Sequence, residues 1–126
     1  EGWIAVDKET LLHKEYKNII TFGDASALPT SKTSAAIRKQ APIAVQNLLS
    51  IMEGNAPSAI YDGYAACPII TDYGHVLMCE FDYQKQEQRS FPLSLLDMSK
   101  ESRLAWLLKV YALKPMYFYG MLNGLV

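Results

Sequence analysis

The first half of the chain has a hydrophobic pattern that predicts two short strands followed by one helix. Residues 3–6 (WIAV) form a brief apolar run before a charged turn. Residues 18–22 (NIITF) form a β-branched and aromatic run, which is typical of a buried strand. From about Lys32 to Met52, apolar side chains recur at steps of three and four residues, which predicts an amphipathic helix. Its apolar stripe consists of Ile37, Ala41, Ala44, Val45, Leu48, Leu49 and Met52.

The ends of this helix also have recognisable signals. Thr30 or Ser31 is expected to cap its start, and the Gly54-Asn55 pair is expected to end it. Pro42 lies inside the pattern and removes one backbone hydrogen bond, so it should kink or split the helix. The stretch 54–58 (GNAPS) is the one credible domain boundary in the chain.

The second half predicts a β-hairpin followed by helical structure. Two extended runs, 64–71 and 76–83, flank the turn sequence DYGH at 72–75. The stretch 99–102 (SKES) should open a final helix, because serine is a good cap and a glutamate in the first turn suits the helix dipole. Pro115 should interrupt that helix and leave a second short one beyond it.

Composition narrows the class of protein. The chain has 126 residues, 50% of them hydrophobic and 20% charged, which suits one domain with its own core. A net charge of −1 excludes the large basic field of a nucleic-acid binder. Two cysteines, without a Cys/His cluster, predict neither a disulfide scaffold nor a metal site. No uninterrupted apolar run is long enough for a membrane span. Since the first residue is glutamate, we expect a processed product or a cut fragment.

Gly23-Asp24 is the first candidate for chemistry, because it follows a predicted buried strand and precedes a helix start. The glycine would let a ligand approach the backbone, and the aspartate would accept hydrogen bonds from ribityl or ribose hydroxyls. Free amides at the helix start suit developing negative charge. The alternative is an ordinary turn, in which glycine and aspartate are both common.

The continuation resembles a known family. Residues 18–24 resemble the second flavin-binding motif of flavoproteins with two dinucleotide-binding domains. The stretches 23–33 (GDASALPTSKT), 61–68 (YDGYAACP) and 80–83 (EFDY) are similar to sulfide:quinone oxidoreductases. This similarity extends from residue 2 to about residue 122. It implies the C-terminal third of such an enzyme, without the N-terminal flavin fingerprint and without the second redox cysteine, and therefore a chain that is inactive alone.

The resemblance also implies site residues. Asp24 would bind the ribityl chain of FAD, with Gly23 permitting the approach, and Lys32 and Thr33 would lie at the helix start that faces the flavin pyrimidine ring. Cys67 would belong to the redox cysteine pair beside the flavin; from the residues alone, a small buried side chain is the competing interpretation. For Lys32 the competing interpretation is a solvated surface lysine.

Cys79 matches no family cysteine and is interpreted as part of the core. A two- or four-residue hairpin loop would place Cys67 opposite Glu80, so that the two cysteines point to opposite faces, whereas a three-residue loop would make them diagonal neighbours. The sequence does not define the loop length; we expect no disulfide between them.

The fold class expected on this basis is α+β. Residues 1–55 would form the end of a flavin-binding α/β domain, and residues 56–126 an antiparallel sheet packed by helices. The resemblance implies sulfide and quinone as substrates. It also implies a peripheral membrane protein, bacterial or mitochondrial, in contact with the membrane through 104–122. The chain alone is expected to self-associate through Trp3, Ile19, Ile20 and the helix stripe.

Two alternatives stay open. One is part of a single-flavin NADH:quinone dehydrogenase, which shares the Gly-Asp motif but needs no redox cysteine. The other is a non-catalytic dimerisation or binding module that uses this fold without any activity.

Overall fold

The computed structural model describes residues 2–88, 97 and 100–125, and it contains both helices and a sheet. Helix α1 spans Ser34–Met52, strands β1 and β2 span Ala65–Asp72 and His75–Phe81, and helix α2 spans Arg103–Leu107. The chain divides into two compact units. The first unit contains the chain up to Ala65 together with Phe81–Gln86, and the second contains Ala66–Glu80 and the residues after Gln86. The predicted α+β class is confirmed.

The two strands predicted before α1 are not formed as regular strands. Residues 3–6 and 18–22 pair only through isolated bridges, of Ile4 with Ser26, Val6 with His13 and Leu12 with Ile20. The chain reverses at Asp7, whose Oδ1 accepts hydrogen bonds from the amides of Glu9 and Thr10. Each segment therefore meets a partner at single positions, which is too few for a ladder. The expectation that 18–22 is buried is also wrong, because none of its residues is fully buried.

Helix α1 begins two residues later than predicted. Its cap is Thr33, whose Oγ1 accepts a hydrogen bond from the amide of Ala36 at 3.2 Å. Thr30 has another role, since its hydroxyl donates to the carbonyl of Gly63. The helix runs through Pro42 as one element, so it is not split there. It ends at Met52, just before the predicted stop signal Gly54-Asn55, and Gly54 has a φ of +81°.

The buried face of α1, which packs against the rest of the first unit, differs from the predicted apolar stripe. The buried residues are Ala36, Gln40, Ala44 and Asn47. Several members of the predicted stripe are exposed instead, namely Val45, Leu48, Leu49 and Met52. The apolar periodicity pointed to the wrong face because two amide side chains are buried with hydrogen-bond partners, which removes most of the cost of burying them.

The hairpin forms as predicted. Strands β1 and β2 are joined by the two-residue turn Tyr73-Gly74, in which Gly74 has a φ of +79°. Val76 of β2 also pairs with Ser102, since the amide of each residue donates to the carbonyl of the other, at 3.3 and 2.9 Å. This pairing holds the start of α2 against the second unit.

A helical segment, Arg103–Asn123, follows this pairing; we call it the C-terminal helical segment. Ser102 caps it, with its hydroxyl accepting from the amide of Ala105 at 3.2 Å, whereas Ser99 of the predicted start lies outside the described residues. After α2 come a wide π-helical turn at Leu108–Ala112, the short helix α3 at Leu113–Pro115, a second π turn at Met116–Gly120 and a 3-10 turn at Met121–Asn123.

The predicted interruption at Pro115 is wrong. Pro115 has helical dihedral angles (φ −58°, ψ −42°), and the chain continues into the second π turn. The wider turns on both sides reduce the clash between a proline ring and the preceding carbonyls. Within residues 2–88, 97 and 100–125, no helix is both long enough and apolar enough to cross a bilayer.

Candidate functional site

The Gly23-Asp24 dipeptide begins a single 3-10 turn, Gly23–Ala25, directly before the approach to α1. Gly23 has a φ of +64°, and a Cβ atom added there would lie 3.2 Å from Cγ1 of Ile37. Glycine is therefore favoured both by the backbone conformation and by the helix behind it. The turn is closed by Ser26, a fully buried residue whose hydroxyl donates to the carbonyl of Gly23 at 2.7 Å.

Asp24 lies at the exposed corner of this turn. Its carboxylate makes no hydrogen bond or ion pair with any residue in the part of the chain that the structure describes. An exposed carboxylate on a rigid turn retains its full capacity to accept hydrogen bonds from hydroxyl groups of a ligand. This geometry suits the predicted contact with a ribityl chain.

Lys32 is held on the protein side of the same turn. Its Nζ donates to the carbonyls of Asp24 and Ser26, at 3.0 and 2.6 Å, and lies 5.0 Å from the centre of the Trp3 ring. The lysine is exposed but is not simply solvated, because its charged end braces the loop. Thr33, the other predicted residue at the helix start, has its hydroxyl engaged as the cap of α1.

Gln40 is a site residue to which the sequence analysis assigned no role. It is 1% exposed, and its Oε1 accepts a hydrogen bond from the amide of Gly23 at 2.9 Å. Its side chain also opposes the rise in the pKa of Tyr61, another fully buried residue. The signal in the sequence was its spacing, four residues from both Ala36 and Ala44.

Three of the sequence motifs meet in the first unit. The hydroxyl of Thr30 donates to the carbonyl of Gly63 at 2.9 Å, and the Tyr83 ring lies against Gly63. The rings of Tyr61 and Tyr83 pack edge to face with centroids 5.6 Å apart, and the Tyr83 hydroxyl donates to the carbonyl of Lys8 at 2.5 Å. Desolvation is the largest cause that raises the pKa of both tyrosines. Beside these contacts is an open cavity of about 270 Å³, lined by Leu28, Pro29, Thr30, Ser31, Phe81, Asp82 and Lys85.

Cys67 lies in β1, in the second unit, and is half-buried. The carbonyl of the next residue, Pro68, accepts a hydrogen bond from Nζ of Lys109 at 2.5 Å, so the C-terminal helical segment holds the backbone beside the cysteine. Cys79 is half-buried in β2, and both cysteines are free thiols. Burial raises the pKa of the Cys79 thiol, and the nearby Cys67 raises it further.

The predicted site residues therefore fall into two groups. Gly23, Asp24, Lys32 and Thr33 come together in the first unit, and Cys67 belongs to the second. No cluster of three or more metal-ligating side chains occurs within the described ranges 2–88, 97 and 100–125.

Comparison with known proteins finds relatives in one class of oxidoreductase. The chain is 43% identical over 98% of its length to the mitochondrial sulfide:quinone oxidoreductase of Mus musculus and 46% identical over 98% to that of Dictyostelium discoideum. The corresponding protein of Schizosaccharomyces pombe is 44% identical over 71% of the chain. These matches cover 27%, 26% and 20% of the relatives, so the chain spans about a quarter of their length or less.

The predicted relationship to the sulfide:quinone oxidoreductase family is thereby confirmed. No protein-family model matches the chain. Among solved structures, one chain in the cryo-EM structure of the Tetrahymena thermophila mitochondrial ATP synthase, an F1Fo composite tetramer, has a similar fold. Its TM-score is 0.79 at 28% identity, over 92% of this chain and 28% of that one.

Proposed function

We propose that this chain contributes part of the flavin site and one redox cysteine to an enzyme that oxidises sulfide and reduces a membrane quinone. The observation that supports this most directly is Cys67 in the stretch YDGYAACP, in a chain 43–46% identical to sulfide:quinone oxidoreductases over 98% of its length. On this proposal the 126-residue chain alone is inactive, since the resemblance implies a second redox cysteine and a flavin fingerprint elsewhere in the protein.

The residues around Gly23 suit FAD. Gly23 offers a bare backbone at a φ of +64°, and Asp24 presents an exposed carboxylate that would accept hydrogen bonds from ribityl hydroxyls. Lys32 and Thr33 shape the start of α1, where amide groups and the positive end of the helix dipole would face the pyrimidine ring. When bound, FAD supplies a carrier for the two electrons that sulfide releases.

Cys67 would act in thiol–disulfide chemistry. Hydrosulfide attacks one sulfur of a disulfide between Cys67 and a second cysteine outside this chain, a persulfide forms, and the other cysteine leaves as a thiolate. The hydrogen bond from Lys109 to the carbonyl of Pro68 would keep the backbone at Cys67 in place during this exchange. A half-buried thiol in a strand is accessible enough for attack and restrained enough for pairing.

The C-terminal helical segment would be the membrane contact, over 104–122. Apolar and aromatic side chains are exposed along it, among them Leu104, Leu107, Tyr111, Tyr117, Phe118, Tyr119 and Leu122. The sequence has three basic residues and no acidic residue from 103 to 125, a composition that suits an anionic membrane surface. The relatives are named as mitochondrial, and we propose peripheral association with a mitochondrial membrane.

The test of the enzymatic proposal uses the full reading frame, reconstituted with FAD. Sulfide-dependent quinone reduction is compared between the wild type, Cys67→Ser and the matched control Cys79→Ser, which removes the other thiol of the same hairpin. We expect Cys67→Ser to lose at least 100-fold in turnover while still binding FAD, and Cys79→Ser to stay within threefold of wild type. Equal activity in all three proteins would return Cys67 to a structural role.

NADH is the second electron donor in the same assay. Quinone reduction from NADH, unaffected by Cys67→Ser, would support the single-flavin dehydrogenase instead. A folded protein that binds no flavin and oxidises neither donor would support a non-catalytic module. The similarity to a chain in the Tetrahymena ATP synthase structure favours the non-catalytic module, because a chain of this fold occurs there within a large assembly.

Membrane contact and self-association have separate tests. Cosedimentation with vesicles of anionic phospholipid should fall when Tyr117 and Phe118, both exposed, are replaced by serine. Neutral vesicles provide the control for the basic residues.

We propose also that the isolated chain self-associates through an apolar surface that includes Trp3, Ile19 and the exposed face of α1. Sedimentation velocity should show a shift to monomer when Leu48 and Leu49, 44% and 53% exposed, are replaced by lysine. A monomeric wild-type chain would contradict the proposal.

A further inference from the structure

The buried amide of Gln40 suggests a role beyond packing. We infer that Gln40 is a positioning residue that holds the Gly23-Asp24 turn in the shape that accepts the flavin. The inference rests on the proposed FAD site, and its test includes a measurement that needs no flavin.

The geometry fixes Gln40 against this turn. Its Oε1 accepts a hydrogen bond from the amide of Gly23 at 2.9 Å, between residues 17 positions apart in the chain. One side-chain oxygen thereby connects the buried face of α1 to the Gly23-Asp24 turn.

The chemistry at this position requires an acceptor. Gln40 is 1% exposed, so its bond to the Gly23 amide is not easily replaced by bulk water. An apolar side chain would leave the Gly23 amide without its acceptor, which favours rotation of the peptide between Phe22 and Gly23. The other brace of the turn, Lys32, is exposed and bonds only carbonyl oxygens, so it cannot replace this acceptor.

Two variants and a control test the inference in the full reading frame. Gln40→Leu removes both polar ends with little change of volume, and Gln46→Leu makes the same change at an exposed position of α1. We expect Gln40→Leu to weaken FAD affinity at least tenfold, measured by flavin fluorescence, and Gln46→Leu to leave it within twofold. Gln40→Leu with wild-type affinity would overturn the inference while leaving the proposed function intact.

Gln40→Glu gives a signature that simple packing would not. A carboxyl oxygen can still accept from the Gly23 amide, whereas a leucine side chain cannot. At pH 5.5, where burial favours the neutral acid, exchange of the Gly23 amide in this variant should therefore stay within threefold of wild type. Exchange as fast as in Gln40→Leu would contradict a hydrogen-bonding role.

Hydrogen exchange of the Gly23 amide tests the positioning role of Gln40 even if the protein binds no FAD. Its exchange should be at least tenfold faster in Gln40→Leu than in wild type or Gln46→Leu, measured by NMR. That result would support positioning even if the flavin proposal failed. Equal exchange in all three proteins would overturn the inference independently of any flavin.

Discussion

Asn47 provides the sharpest test of how the first unit is held together. It is fully buried on α1, and its side chain makes four hydrogen bonds to backbone groups. Nδ2 donates to the carbonyls of Thr10 and Ala59, both at 2.9 Å, and Oδ1 accepts from the amides of Ser58 and Ala59 at 3.0 and 2.9 Å. One side chain therefore joins the helix to the Thr10 loop and to the segment that follows the helix.

The expected cost of Asn47→Ala follows from these bonds. Each contributes about 1 kcal/mol net, and a buried backbone group left without a partner costs about 1–3 kcal/mol. Ser58 is exposed, so water can reach its freed amide, whereas Thr10 and Ala59 are half-buried. We therefore expect the free energy of unfolding to fall by about 3–4 kcal/mol, a large share of the roughly 5–15 kcal/mol typical of a domain.

The assay is urea unfolding followed by circular dichroism and by tryptophan fluorescence, with Asn55→Ala as the control. Asn55 is exposed and makes one side-chain contact at 3.5 Å, so its removal should change stability by less than about 0.5 kcal/mol. Asn47→Asp should also destabilise, because it loses both donors and buries a charge. A loss below about 1 kcal/mol for Asn47→Ala would refute the claim that this side chain joins the three segments.

Further predictions concern the tyrosine contact and the thiols. Gly63→Ala should lower the free energy of unfolding by at least about 2 kcal/mol, because the φ of Gly63 is +89° and the new Cβ would lie 2.6 Å from the amide nitrogen of Tyr83. Gly74→Ala, at φ +79° in open space, should lower it only by the roughly 1 kcal/mol of backbone strain. Equal losses of stability for the two variants in chemical denaturation would contradict this. Because folding raises the pKa of Tyr83, the folded state keeps the phenol proton at a pH where the unfolded state loses it. This contribution to stability is fully present below about pH 10 and falls as the pH rises above that value. In unfolding titrations at high pH, Tyr83→Phe should therefore lose less of its free energy of unfolding than wild type. The rate at which iodoacetamide alkylates Cys79, measured by mass spectrometry, should increase at a higher pH than for an ordinary thiol. Cys67→Ser should shift this increase to lower pH. An unchanged pH dependence would exclude coupling between the two sulfurs.

Local signals predicted the parts of the fold that depend on local chemistry. The hairpin followed from two extended runs around Tyr73-Gly74, and the end of α1 followed from Gly54, since both glycines take positive φ values that few other residues adopt. The strand prediction at 18–22 failed for the opposite reason. Side-chain composition favours a strand, but a strand also needs a neighbouring segment over several residues, and this depends on contacts distant in sequence.

The site was predictable where a motif marks it and not where its support is buried. Gly23 and Asp24 are recognisable in the sequence as a turn before a helix, and the structure places them in a 3-10 turn that precedes α1. Gln40 and Asn47 were missed because a hydrophobic periodicity assigns amides to the solvent face, whereas both are buried and accept hydrogen bonds from, or donate them to, backbone groups. The available signal in the sequence is spacing, since Gln40 and Asn47 lie four and three positions from buried alanines. Only their hydrogen-bond partners, which the sequence does not reveal, show that these amides can be buried at little cost.

The discontinuous first unit has a consequence for the order of events during synthesis. Its contacts require Phe81–Gln86, yet the hairpin residues between Ala65 and Phe81 belong mainly to the other unit. A nascent chain that has emerged only as far as Gly63 lacks the Tyr83 ring that packs on that glycine and the Tyr83 hydroxyl that bonds the carbonyl of Lys8. The first unit can therefore be completed only after the chain has passed through the hairpin, and a mutation that slows hairpin formation delays the contacts that Tyr83 makes with Gly63 and Lys8, which lie far from it in sequence.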